Sequence, residues 1–301
     1  MPDYLVGTGG WSYFNIPNKP SLKAYSEIFN FVEVNYTFYE YPSFQTVEQW
    51  RRVVPRNFTF SVRCHQDLTH RIGLKPTDEA YEIFYKMKNY AEILQTPFLV
   101  LETPSGYKAN KDSRDFLLTL NLRGVTLVWE YRANITPTVL KLMEDFNIVD
   151  CVDLSRQKPH FKRDVTYSRL FGKGRHNIYQ FTDDELTDIQ RTAEQSNSKQ
   201  IILAYHGLKM NSDALRFQQH LKTGRYLPVT FETGAESAKE VLAEDATFPS
   251  SKSNLVKEQG WKVIDIRKNQ TVHLSEYLSR IPNKNYLSID EVVMELKAVV
   301  G

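Results

Sequence analysis

The sequence predicts a (β/α)8 barrel followed by a C-terminal α/β extension. Three observations carry that expectation. Short β-rich apolar runs alternate with longer segments of helical period, eight such runs occur, and charged residues such as Glu102, Glu130, Arg169 and His206 stand at or near the C-terminal ends of several of them, as in barrels that deliver side chains to the mouth.

The eight runs span residues 4–8, 31–38, 59–64, 98–102, 126–131, 148–154, 167–171 and 200–205. Between the third and fourth, residues 77–94 set Ala80, Ile83, Phe84, Met87, Tyr90, Ala91 and Leu94 on one helical stripe. Residues 182–195 form another helix. It opens Thr182-Asp183-Asp184-Glu185, the spacing at which a threonine hydroxyl and a glutamate carboxylate satisfy each other's free backbone donors. Residues 157–164, between runs six and seven, are too short and too interrupted by Pro159 for a helix, so an irregular loop is expected there.

A closing helix follows at residues 211–222, after which composition shifts at 223–228. The barrel is therefore assigned to residues 1–225 and the extension to 226–301. Within the extension, helices are expected at 235–242 and 289–300, a polar stretch at 249–254 and a short strand at 261–266. Two arrangements fit: a small subdomain with its own core, or a tail packed across the barrel.

Composition excludes some functions. Lys and Arg total 38 against 36 Asp and Glu, so bulk charge names no polyanionic partner. Cys64 and Cys151 are the only cysteines, too few for a disulfide framework and without zinc-site spacing. The first residues lack a basic stretch leading into an apolar run, and no stretch of about 18 apolar residues occurs. Neither secretion nor membrane insertion is expected, and a reducing cytoplasm is the simplest compartment.

Strand alternation then selects the chemistry. In the second run Glu33, Asn35 and Thr37 share a face opposite Val32 and Val34; in the third, Ser61, Arg63 and His65 do so, followed by Thr69-His70. Glu102 ends the fourth, Glu130 and Arg132 face inward on the fifth while Trp129 and Tyr131 face the helices, and Asp153, Arg169 and His206 end the last three. Burying so many charges is costly unless they are paired or used, so the set marks a site at the C-terminal mouth. Single pairs such as Glu33 with Arg63 also fit a purely structural role.

Two chemistries suit it. In one, Arg63, Arg132 and Arg169 fork onto anionic oxygens, Glu130 or Glu33 acts as base, and His70 as acid. In the other, His65, Glu102, Glu130, Asp153 and His206 hold a divalent metal. The three arginines disfavour the added cation, so no cofactor is assigned. Gly7-Thr8-Gly9-Gly10 lacks both the dinucleotide and the P-loop pattern and reads as a tight turn that lets Trp11 and Tyr13 reach the mouth. No GxSxG occurs, and Cys64 alternates away from the lumen. Between Arg156 and His176, seven Lys and Arg face Asp164 alone with aromatics interleaved, a composition that suits a phosphodiester backbone.

The segments Val6-Gly7-Thr8-Gly9-Gly10-Trp11-Ser12-Tyr13, Val32-Glu33-Val34-Asn35-Tyr36-Thr37-Phe38-Tyr39 with Pro42, Phe60-Ser61-Val62-Arg63, Thr69-His70 and Trp129-Glu130-Tyr131-Arg132 resemble the domain-of-unknown-function family 72, the YecE-like proteins. The resemblance spans residues 4–222 and implies a TIM barrel. It implies no established activity, and its recurring polar set falls on Glu33, Asn35, Thr37, Tyr39, His70, Glu130, Arg132 and Arg169. This chain departs from the family at Arg63, where a lysine is usual, at Phe171-Gly172, where His-Gly is usual, and at Tyr205-His206-Gly207, where an Asn pair is usual.

The functional expectation is an enzyme for a phosphate-bearing small molecule or a nucleic acid, with phosphoester hydrolysis the favoured reaction. Glu33, Glu130 and His70 form its acid–base set, and Trp11, Tyr13, Asn35, Thr37, Tyr39, Arg63, His65, Arg132, Arg169 and His206 its binding set. The alternatives are a sugar or sugar-phosphate isomerase or lyase, and a non-catalytic nucleic-acid binding module.

Overall fold

In a computed structural model describing residues 2–300, eight parallel strands close into a barrel in chain order. They are β1 (Asp3–Thr8), β2 (Phe31–Val34), β3 (Thr59–Arg63), β4 (Phe98–Thr103), β5 (Thr126–Tyr131), β6 (Val149–Val152), β7 (Val165–Leu170) and β8 (Gln200–Tyr205). Closure is made by β1, which pairs with β2 on one side and β8 on the other. The connecting helices are α1 (Ser21–Ile28), α2 (Tyr36–Tyr39), α3 (Phe44–Val53), α4 (Asp78–Leu94), α5 (Lys111–Thr119), α6 (Pro137–Asp145) and α7 (Asp183–Glu194). No helix lies between β6 and β7, in keeping with the broken sequence there.

Local signals explain the helix ends. Thr77 caps α4 by accepting from the Ala80 N–H at 3.2 Å, and the buried residues of α4 include the whole predicted stripe. At α7 the reciprocal cap forms as expected: Thr182 N–H donates to Glu185 Oε2 at 3.1 Å and Glu185 N–H to Thr182 Oγ1 at 3.3 Å.

The second run is shorter than its alternation suggests. Asn35 turns into the right-handed helical region (φ −75°, ψ −23°), so residues 36–39 become α2 rather than strand. Thr37 locks the turn by donating to Val34 O at 2.9 Å and Arg63 O at 2.7 Å. Gly7 belongs to β1 rather than to a turn. A Cβ there would stand 1.9 Å from the Phe31 carbonyl oxygen, so the β1–β2 approach requires glycine.

Inside the barrel, Leu5, Phe31, Phe98, Val100, Val128, Val149, Cys151, Tyr167, Ile202 and Ala204 form one apolar cluster. The lumen is thus filled by side chains, as in other barrels of this size. Tyr167 tops this packing; its hydroxyl lies 2.7 Å from Ser61 Oγ and donates to Glu33 Oε2 at 2.8 Å.

The chain divides into two compact units. The first runs to Leu170 and takes in Thr192–Tyr205, which brings all eight strands together; the second takes Phe171–Arg191 and the chain from His206 onward. The second unit therefore draws on more of the chain than the residues after Tyr226. It contains α8 (Met210–Thr223), α9 (Ala235–Ala243), β9 (Ser250–Ser251), α10 (Lys252–Gln259), β10 (Val263–Arg267), β11 (Gln270–His273), α11 (Leu274–Leu278), β12 (Asn285–Tyr286) and α12 (Ile289–Val300).

The tail has its own core, built from Ala238, Leu242, Leu255, Ile264, Leu274, Tyr286, Val292 and Leu296 among others. Helix α10 escapes the sequence reading because it buries only Leu255 and Gln259, too little for an amphipathic stripe, and its start is marked by the Ser251 cap alone. Leu242 is fully buried in this core, so Leu242→Ala is expected to cost the second unit about 2–5 kcal/mol. Urea unfolding followed at Trp261 reads it; a loss below about 1 kcal/mol would contradict a tightly packed tail.

Candidate functional site

Above the apolar packing, the lumen changes from hydrocarbon to charge. Glu102 on β4 and Glu130 on β5 are register partners, so two carboxylates stand side by side on adjacent strands. Like charges in that arrangement repel, and buried carboxylates need compensation. It comes from β7 and from the end of β5. Arg169 bonds through Nη1 to both carboxylates and through Nε to Glu33 Oε1 at 3.1 Å. Arg132 bonds to Glu130 Oε1 and Glu102 Oε1, each at 2.8 Å. Arg63 on β3 reaches Glu102 and also donates to Asn35 Oδ1.

Three guanidinium groups thus face three carboxylates, and Glu102 touches all three arginines. The expected acid–base set did not include Glu102, although strand alternation places it in the lumen. Nothing in the sequence distinguishes it from the other inward carboxylates; its role comes from lying between β3 and β5 once the barrel closes.

Burial alone would raise the Glu130 carboxyl, but Arg169 and Arg132 hold it below the ordinary glutamate value, so it is ionised near neutral pH. Burial disfavours the Arg169 cation, yet Glu130, Glu33 and Glu102 hold its proton well above the usual range. Arg63 is pushed down by burial and by Arg169, and its guanidinium lies 3.4 Å over the Phe38 ring.

His70 sits on a π-turn, Asp67–Arg71, closed by the Ile72 N–H donating to Asp67 O at 2.8 Å. Its Nδ1 lies 2.9 Å from Thr69 Oγ1 and its Nε2 4.0 Å from Glu102 Oε1, with 32% of the side chain exposed. Burial lowers its pKa, opposed by Glu102 and assisted by Arg63 and Arg132, so the ring is neutral near neutral pH. It combines a neutral imidazole, an open face and a neighbouring carboxylate.

A cleft of about 390 Å3 adjoins the cluster at Asn35 and Tyr39, walled by Trp11, Tyr13, Tyr36 and Trp50 with Ser12 and the Gly9-Gly10 backbone. Trp50 meets Trp11 edge-on at 5.3 Å and Tyr36 at 6.1 Å between ring centres. Among the described residues, no lysine or arginine lines it. Of these groups, Tyr36 and Trp50 lie outside the expected binding set. Strand alternation extended through residue 36 hides Tyr36, and Trp50 arrives from α3, which only tertiary packing brings to the mouth.

Other expected site residues are placed elsewhere. Glu33 has no exposed surface and is held by Arg169 and Tyr167, so a substrate at the mouth does not meet it. Thr37 is buried in the turn after β2, while Tyr39 lies half exposed beside Arg63 at 5.9 Å. His65 lies past the end of β3, stacked on Tyr41 at 3.8 Å, with Nδ1 accepting from the Asp67 N–H at 3.1 Å. His206 belongs to the second unit and stacks on Phe171 at 4.9 Å.

The proposed metal ligands do not converge: Glu102 and Glu130 face arginines, Asp153 accepts from Ser155 N–H and Oγ, and no three His, Cys, Asp or Glu among the described residues form a metal-holding group. Cys64 and Cys151 are buried, and burial pushes the Cys64 thiol up to about 12. Of the basic run 156–176, Arg169 joins the mouth cluster, while in the first unit Lys158 bonds to Gln195 and Arg163 to Met143 O, and in the second unit Lys173 pairs with Glu185.

Fold and site together define a (β/α)8-barrel protein whose mouth joins a charge-balanced Glu–Arg cluster to an aromatic cleft. The chain belongs to the family described as "Protein of unknown function DUF72", whose model matches residues 5–233. That match ends beside α9, where the separate tail core begins. It is similar to the UPF0759 protein YunF of Bacillus subtilis (strain 168), 31% identical over 101 residues, which is 31% of this chain and 34% of YunF, about a third of that relative's length. Among solved structures it resembles a DUF72 family protein from Enterococcus faecalis V583 (16% identity, 74% of this chain and 98% of that one, TM-score 0.57) and one from Thermotoga maritima MSB8 (19% identity, 73% and 99%, TM-score 0.57). These likenesses concern the fold. No helix among the described residues is long and apolar enough to cross a membrane.

Proposed function

We propose that the chain is an enzyme that moves a proton within a small sugar-like substrate at the barrel mouth, as an isomerase does. The observation that carries the reading is His70: a neutral, part-exposed imidazole facing Glu102, which is shared with Arg132, itself paired to the ionised Glu130. In this reading His70 takes a proton from a carbon beside a carbonyl, Arg132 stabilises the enolate oxygen that forms, and the proton returns to the neighbouring carbon. Glu130 holds Arg132 in place and carries protons between substrate oxygens. The aromatic cleft supports a neutral polyol, because stacking on rings suits the apolar face of a sugar and no cation among the described residues lines the walls.

Charge balance supports this over a strongly anionic ligand. Each arginine of the cluster already faces a carboxylate, so a phosphate dianion would have to displace one. The second reading, phosphoester hydrolysis, rests on Arg132, whose side chain is 40% exposed.

The test is solvent deuterium incorporation, followed by NMR, into aldoses, ketoses, sugar acids and their phosphates, beside hydrolysis of nitrophenyl phosphates and oligonucleotides with and without chelator. His70→Asn is expected to slow exchange by about a hundredfold or more. A base works unprotonated, so the rate is retained above the His70 pKa and falls as pH drops through a value below the ordinary 6.5. Absence of exchange with every carbonyl compound, or an unchanged rate in His70→Asn, would sink the reading. Arg132-dependent phosphoester turnover would establish the second one.

A further inference from the structure

The second unit carries a cavity of about 340 Å3 that the barrel chemistry does not use. Its walls include Tyr226, Pro228 and Phe231, and its lining also holds Arg225, Arg267 and Lys268. The acidic residues on the same lining are already occupied. Asp265 Oδ2 accepts from the Val229 and Thr230 N–H groups, each at 2.8 Å, and from Thr230 Oγ1 at 3.0 Å; Asp183 Oδ1 pairs with Arg216 at 2.6 Å. Arg225 and Lys268 are exposed and have no acidic partner among the described residues, and Arg267 gives its Nε to the neutral Gln270. The three cations of the lining outnumber its two carboxylates, so its net charge is positive.

Phe231 is fully exposed, yet it is not on a loose loop. Its own N–H and that of Glu232 donate to the two Glu240 carboxylate oxygens at 3.0 and 2.9 Å, while Val229 and Thr230 are tied to Asp265. Four backbone hydrogen bonds hold an aromatic ring in water, where it gains nothing from burial. A rigid apolar anchor beside unpaired cations is preorganised for a ligand that is apolar on one side and anionic on the other.

We propose that this cavity binds a small organic anion with a flat apolar body, the body resting on Phe231, Tyr226 and Pro228 and its carboxylate facing Arg225 and Lys268. The proposal is independent of the barrel-mouth reading.

The probes are 2-naphthoate, the uncharged 2-naphthamide, which has the body without the charge, and acetate, which has the charge without the body, titrated into the full-length protein by calorimetry. Naphthoate is expected to bind at least about tenfold tighter than either control, and to weaken as salt screens the cations. The Arg225→Ala/Lys268→Ala double variant is expected to lose about fivefold, the weight of two exposed ion pairs, and Phe231→Ala a similar factor, with unchanged circular dichroism. His70→Asn is expected to bind naphthoate as the parent does. Equal binding of naphthoate and naphthamide, no binding at all, or full affinity in the double variant would overturn the proposal. So would concentration-dependent self-association abolished by Phe231→Ala, which would assign the ring to a second copy of the chain.

Discussion

Glu102→Gln is expected to lower the stability of the barrel by about 3–5 kcal/mol, the range for removing one partner of a buried ion pair. The substitution changes little in shape and removes one negative charge from the centre of three guanidinium groups. Arg63 and Arg169 are both almost fully buried and each relies on Glu102, so the variant leaves uncompensated positive charge in the lumen. Arg63→Gln added to Glu102→Gln restores the balance and is expected to recover at least half of the loss, because the penalty is electrostatic rather than steric. Urea unfolding of the two variants and the double variant reads this directly. A single-variant loss under about 1 kcal/mol would mean that water or relaxation compensates the cluster and that its charges are not truly buried.

On the proposed proton-transfer reading, Glu130→Gln is expected to cut turnover by about a thousandfold while leaving ligand affinity within about threefold. The amide keeps the shape and still accepts a hydrogen bond from Arg132, so the substrate pocket persists. It no longer carries protons, and it no longer fixes the Arg132 guanidinium by charge. A fall in kcat with KM unchanged is the signature. Turnover near the parent level would remove Glu130 from the chemistry and leave His70 with Arg132 to account for it; a large rise in KM alone would make Glu130 a binding group.

The two experiments separate roles that the sequence presents as equivalent. Glu33, Glu102 and Glu130 all end on the inner face of a strand, and nothing local tells them apart. In the closed barrel, Glu33 has no exposed surface and takes the Tyr167 hydroxyl, Glu102 joins three arginines, and Glu130 keeps 14% of its side chain open. His65 and His70 show the same divergence five residues apart. One stacks on Tyr41, while the π-turn carries the other round to face Glu102.

What the sequence by itself determined is whatever depends on near neighbours in the chain: the eight strands, the α4 stripe, the α7 cap and the inward face of the second, third and fifth strands. Covalent geometry forces alternate side chains to opposite faces, so Glu102, Glu130 and Arg169 were legible as lumen residues before any fold was known. The tertiary structure alone decided which carboxylate meets which arginine, that Trp50 from a helix meets Trp11 from a loop, and that the tail builds its own core. Those outcomes depend on strand register, closure and the packing of distant segments, and long-range contacts of that kind leave no local periodicity to read.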